Sequence, residues 1–116
     1  MIETFAALAE PNRFRIVELL RTSERTVGEL GQRLDLSQPL VSKHLRVLKE
    51  AGVVEVEPRA RERVYTLRAK RLREMNDWLD RYREIWDERF EALEGLVSEM
   101  EQEERSHERR RRKNNR

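Results

Sequence analysis

Apolar residues recur at steps of three and four along most of this chain, and the places where the recurrence loses phase mark the ends of its elements. Ile2, Phe5, Ala6 and Ala9 outline a short amphipathic helix. Pro11 suits the first turn of the next helix, where its missing N–H costs nothing. That helix is expected over residues 11–21, with Phe14, Ile16, Val17, Leu19 and Leu20 apolar. A third helix opens at Thr26, where Thr-Val-Gly-Glu reads as a capping box between Thr26 and Glu29, and it stays apolar at Val27, Leu30 and Leu34. After the tight connection Asp35-Leu36-Ser37 comes a fourth helix over 38–50. Ser37 is its N-cap and Gly52 its stop. Val41, Leu45 and Leu48 make the inner stripe, and the opposite arc is polar.

Two runs rich in β-branched residues follow, at 53–57 and 62–67, and the linker 58–61 joins them as a hairpin. From about residue 68 to 104 there is no proline. Leu72, Met75, Leu79, Tyr82, Trp86, Phe90, Leu93, Val97 and Met100 form a seam like that of a coiled coil. About 35 helical residues span on the order of 52 Å, too long to pack wholly against so small a domain, with Gly95 as a weak point. Residues 105–116 are low-complexity and basic. The pattern predicts a mainly α protein with a small β-hairpin: one domain over 1–104 with a long C-terminal dimerisation helix, then a basic tail over 105–116.

Composition sharpens this picture. The chain has 116 residues, 37% of them hydrophobic and 41% charged, so one modest core is expected and much of the helix must face solvent or a second copy. There is no cysteine, which removes disulfides, thiolate metal sites and cysteine nucleophiles. The N-terminus lacks a signal-peptide pattern and no stretch reaches the length of a membrane span, so a cytoplasmic protein with no membrane partner is expected. The net charge of +2 conceals a strong segregation: −1 over residues 1–36, +5 over 37–71, −8 over 72–104 and +6 over 105–116. A small nucleic-acid binder gathers positive charge on the surface that meets phosphate, as the second block does.

Helix, short turn, helix, then a hairpin with arginines at its tip is the order of a winged helix-turn-helix. A helix about 10–12 Å across fits the major groove of B-DNA, about 12 Å wide, with its N-terminal residues at base edges. The hairpin reaches phosphate or the minor groove beside it. The DNA-contacting candidates are therefore Ser37, Gln38, Pro39, Ser42, Lys43, His44 and Arg46 on the recognition helix, and Arg59, Arg61 and Arg63 on the wing. Gln38 suits adenine, Arg46 and Lys43 suit guanine or phosphate, and Ser42 and His44 offer short polar contacts. On a helix, Ser42 and His44 point to different sides and form no nucleophile–base pair; no catalytic residues and no cofactor are assigned. The acidic positions Asp77, Asp80, Glu84, Asp87 and Glu91 fit an outer helix face.

The segment from Leu34 to Val54, and SQPLVSKHLRVLKEAG within it most specifically, resembles the recognition segment of ArsR-family winged-helix regulators. Leu8-Ala9-Glu10-Pro11-Asn12-Arg13 resembles that family's junction of first and second helices, with Glu10 where an Asp is more usual. The resemblance covers about residues 3–100. It implies dimeric repressors that bind operator DNA and release it when an effector binds, with a dimer interface made by the first and last helices. Metal sensors of the family carry two cysteines at the places held here by Thr26 and Gly28, and others use His and carboxylates on the last helix. Here the histidines are His44 and His107 alone, so no metal ligand is assigned.

The chain is thus expected to be a sequence-specific repressor acting as a homodimer on an inverted repeat of double-stranded DNA. Its interface is expected at Ile2, Phe5, Leu72, Met75, Leu79, Tyr82, Trp86, Phe90 and Leu93. Trp78 and Ile85 beside the seam leave room for a small-molecule effector, which the sequence does not identify. The alternative is a winged-helix and coiled-coil module that holds a partner protein and binds no specific DNA.

Overall fold

The computed structural model describes residues 1–114, with side chains described outside 88–92. The elements are α1 (Ile2–Ala9), α2 (Pro11–Thr22), β1 (Arg25–Thr26), α3 (Val27–Leu34), α4 (Gln38–Glu50), β2 (Val54–Arg59), β3 (Glu62–Leu67), α5 (Ala69–Asp80) and α6 (Arg83–Asn114). They form two compact units, one over Met1–Asp77 and one from Trp78 onward, where the sequence pattern had suggested a single domain over 1–104.

In the first unit the local signals act as their chemistry requires. Glu10 ends α1 in an extended conformation and caps α2, its carboxylate accepting from the Arg13 N–H at 2.8 Å. Arg13 returns to the end of α1, its Nε donating to the Ala7 carbonyl at 2.7 Å. The Thr26–Glu29 capping box is present. Gly52, at φ +77°, lets the chain leave α4, and its N–H reaches the Lys49 carbonyl while that of Val53 reaches Leu48.

The core of this unit gathers Ile16, Val17 and Leu20 of α2, Leu30 and Leu34 of α3, and Val41, Leu45 and Leu48 of α4 over Val53, Val54 and Tyr65. Each fully buried aliphatic side chain contributes roughly 1.5–3 kcal/mol. Two expectations change. The face of α1 turned inward is Thr4 and Ala7, not Ile2, Ala6 and Ala9, because small side chains let α1 approach α2 and α4 closely. Phe14, read as part of the α2 stripe, is 53% exposed.

The hairpin is longer than its sequence outline. Pro58 and Arg59 belong to β2, paired with Arg63 and Glu62, which leaves Ala60 and Arg61 as the whole turn. Pro58 is tolerated because β2 is an edge strand; the sheet order is β1-β3-β2. The sequence reading had no β1: Arg25 and Thr26 pair with Tyr65 and Val64, too few residues to leave an alternation.

The single rod expected over 68–104 is instead two helices. At Arg81 and Tyr82 the chain turns through tight bonds, Arg81 N–H to Trp78 C=O at 3.3 Å and Tyr82 N–H to Leu79 C=O at 2.9 Å. Asn76, Asp77 and Asp80 weaken helix propensity just before this point, whereas Gly95 sits inside α6 unbroken. Residues 105–114, read as a tail, continue α6. Arg, Lys and Glu are good helix formers, Arg105 pairs with Glu101 one turn back at 3.7 Å, and Arg111, Arg112 and Lys113 complement the dipole of the last turn.

Candidate nucleic-acid interface

The interface is built on α4. With Val41, Leu45 and Leu48 fully buried, helical geometry turns the opposite arc outward: Ser37, Gln38, Pro39, Ser42, Lys43 and Arg46 are all exposed. Ser37 caps the helix, its hydroxyl accepting from the Leu40 N–H at 3.4 Å, and Pro39 occupies the first turn, where no N–H is needed. Gln38 lies over the start of α3: a Cβ placed on Gly28 would stand 3.6 Å from its amide nitrogen. Arg46 makes an exposed i,i+4 pair with Glu50 at 3.7 Å. Such a pair is worth about 0.3–0.5 kcal/mol and leaves the guanidinium available to a stronger anion.

His44 is not on that arc. Its side chain is 12% exposed and its Nδ1 faces the Glu10 carboxylate at 3.6 Å, so the expected short polar contact to DNA gives way to a tie between α4 and the cap of α2. The helical step decides this: His44 adjoins Leu45 and Val41 on the side turned toward α1 and α2. Burial pushes the Glu10 carboxyl up, but the backbone N–H groups of Arg13 and Asn12, with His44 and the Arg13 charge, outweigh it and hold it below its ordinary value of 4.5.

The three wing arginines divide. Arg61 and Arg63 are exposed and carry no ion pair among the described residues. Arg59 is engaged twice, by both carboxylate oxygens of Glu24 (one of them at 3.0 Å) and by Glu57 at 3.1 Å. Glu24 above all, and Glu57 after it, raise the Arg59 pKa. Arg59 thus fastens the wing to the segment before β1 instead of presenting a free charge. Glu24 lies 35 positions away in the chain, and nothing in the local sequence pairs the two. Arg25 was also missed; it is buried, and its guanidinium donates to the Leu19 carbonyl at 3.3 Å and the Thr22 hydroxyl at 3.0 Å.

The expected dimer residues remain incompletely covered within one chain. Ile2 is 76% exposed and Phe5 half-buried; on α5, Leu72 and Met75 are half-buried and no residue is fully buried. In the second unit Tyr82 and Leu93 are exposed and Trp86 half-buried, and Phe90 lies outside the described side chains. Trp78, considered for an effector cavity, instead meets Tyr82 edge to face at 5.1 Å between ring centroids. Among the described residues no group of three His, Cys, Asp or Glu side chains gathers as a metal site, and no helix is long and apolar enough to cross a membrane.

Residues 10–56 match the profile of the bacterial regulatory protein, arsR family. The HTH-type transcriptional repressor SmtB of Mycobacterium tuberculosis is 52% identical over 65 residues, 56% of this chain and 48% of the relative, so the chain spans about half the length of that protein. The transcriptional activator HlyU of Vibrio cholerae is 37% identical over 65% of this chain and 69% of its own length. Among solved structures, an ArsR-like transcriptional regulator from Rhodococcus superposes with a TM-score of 0.67 at 29% identity, covering 84% of this chain and 89% of that one. The structure of HlyU superposes with a TM-score of 0.60 at 35% identity, over 69% and 87% of the two chains. These matches centre on the winged helix-turn-helix whose exposed arc is described above, and this chain belongs to the ArsR family of transcriptional regulators.

Proposed function

We propose that this protein represses transcription as a homodimer that binds an inverted-repeat operator. One observation carries the reading. The outer arc of α4 offers Gln38, Ser42, Lys43 and Arg46 to solvent from a helix fixed by three buried side chains, beside a wing whose Arg61 and Arg63 carry no ion pair among the described residues. A rigid donor-rich helix suits the major groove, and free cations beside it suit phosphate. Support for two copies comes from the exposed Ile2 and from Leu72 and Met75, apolar side chains that one chain buries only in part. Two-fold symmetry then sets half-sites about one helical turn, roughly 34 Å, apart or a multiple of it. Repression follows from occupying a promoter, in keeping with SmtB being named a repressor.

The test is to select bound fragments from the source genome and measure affinity for the selected site and for random duplex across a salt series. Gln38→Ala and Arg46→Ala are expected to lose discrimination by about 1–3 kcal/mol at the affected base pair. Arg61→Ala is expected to weaken both duplexes alike and to reduce the salt slope by about 1. Variants that bind both duplexes like the parent overturn the assignment.

A further inference from the structure

The first turn of α4 carries an apolar side chain that its polar arc does not account for. Beside Gln38, Ser42, Lys43 and Arg46, the helix exposes Leu40, 37% open to solvent, although Val41 next to it is fully buried. The backbone there is fixed: the Leu40 N–H donates to the Ser37 hydroxyl at 3.4 Å, and Pro39 precedes it with its φ locked by the ring. Two residues along a helix stand about 200° apart around its axis, so Gln38 and Leu40 lie on opposite flanks of α4. The packing agrees. Gln38 lies over Gly28 at the start of α3, whereas His44, one turn beyond Leu40, turns to Glu10 at the start of α2. Between these flanks runs the arc that offers Lys43 and Arg46.

An exposed leucine costs the free chain little, but on a base-reading surface it has one match. Base-pair edges in the major groove present donors, acceptors and one projecting apolar group, the C5 methyl of thymine. Residues at the N-terminal end of a recognition helix are those that reach base edges. Against the polar edge of guanine, cytosine or adenine, a leucine strips water from donors and acceptors and returns no hydrogen bond. Against the thymine methyl it buries apolar surface on apolar surface. We infer that Leu40 reads a thymine in each half-site by packing on its C5 methyl, independently of the base that meets Gln38. The inference deepens the repressor reading and rests on it: it gives the operator an apolar determinant beside the polar ones of Gln38 and Arg46.

The test removes the methyl and nothing else. In the duplex selected from the source genome, each thymine is exchanged in turn for deoxyuridine, which keeps the base pair and the O4 acceptor. Affinity is measured for the full-length parent, Leu40→Ala, Leu40→Met and Gln38→Ala. The parent is expected to bind about fourfold more weakly when one particular thymine of a half-site is exchanged, the factor that burial of one methyl carries. In Leu40→Ala most of that factor should disappear, whereas Leu40→Met, apolar and of similar volume, should restore it. Gln38→Ala should keep the effect, because its side chain stands on the other flank. Alanine is a good helix former and Leu40 lies outside the core, so an unfolding midpoint like the parent's shows that the fold is intact. The salt slope of Leu40→Ala should also match the parent's, since a methyl contact releases no counterion. A parent that binds every deoxyuridine duplex like the thymine duplex overturns the contact. So does a loss that persists in Leu40→Ala, or one that Gln38→Ala abolishes as well. A chain that selects no duplex over random sequence fails the repressor reading and takes this contact with it; a selected site without a deoxyuridine effect counts against Leu40 alone.

Discussion

A Cβ added at Gly31 would stand 2.9 Å from the carbonyl oxygen of Leu36. The turn from α3 to α4 is closed there backbone on backbone: the Gly31 carbonyl accepts the Leu36 N–H at 3.0 Å and the N–H of Asp35, which sits in the left-handed region at φ 55°. Backbone cannot yield as a flexible side chain does. Gly31→Ala should therefore destabilise the first unit by about 1–3 kcal/mol in denaturant unfolding, whereas Gly28→Ala, whose nearest neighbour would be 3.6 Å away, should be neutral or raise stability by up to about 1 kcal/mol. Equal effects at the two glycines would remove Gly31 from this role.

Glu10 should give the protein an acid-sensitive joint. Its carboxyl is held below its ordinary value in the folded chain, so its contribution is present above pH 4.5 and is lost as pH falls through the folded value. Unfolding monitored from pH 7 downward should show this loss in the parent, and Glu10→Gln should be less stable at neutral pH by roughly 1 kcal/mol, with a flatter acid limb. An unchanged acid limb in the variant would mean that another carboxylate governs it.

Releasing Arg59 should strengthen DNA binding without selectivity. Glu24→Ala removes the carboxylate that takes up two of its hydrogen bonds, which leaves Arg59 held by Glu57 alone and makes the wing one charge more positive beside Arg61 and Arg63. The salt dependence of duplex affinity should steepen by up to about 1 in slope, while stability changes little, because an exposed pair contributes little. A shallower slope would show that fixing the wing matters more than the added charge.

The wing turn carries a strained alanine. Ala60 has φ 53°, a region that costs a residue with a Cβ roughly 1–2 kcal/mol. Ala60→Gly should raise the unfolding midpoint by the equivalent of about 1 kcal/mol, less what the freer unfolded chain recovers. A lowered midpoint would argue against this backbone conformation.

Much of the winged helix was legible because its signals are local. Thr26 with Glu29, Ser37 and Gly52 each satisfy or end a helix using atoms within a few residues. The stripe Val41, Leu45 and Leu48 has only one way to be buried once it is helical, and that alone turns Gln38, Ser42, Lys43 and Arg46 outward. The long C-terminal rod was misread for the opposite reason. Its apolar steps run through Leu79, Tyr82 and Trp86 without interruption, and periodicity carries no mark where tight bonds replace helical ones.

The sequence by itself determined the first four helices and the hairpin, the capped recognition helix, the polar arc on it and the charge blocks, since these depend on local backbone hydrogen bonding and on the spacing of apolar and charged positions. Only the tertiary structure decided that His44 turns to Glu10, that Arg59 is taken up by Glu24, that Thr4 and Ala7 are the inward face of α1 and that Gly31 must have no side chain. Each of these is a meeting of residues from different elements or across a tight turn, fixed by how helices and strands pack in three dimensions rather than by what stands beside them in the chain.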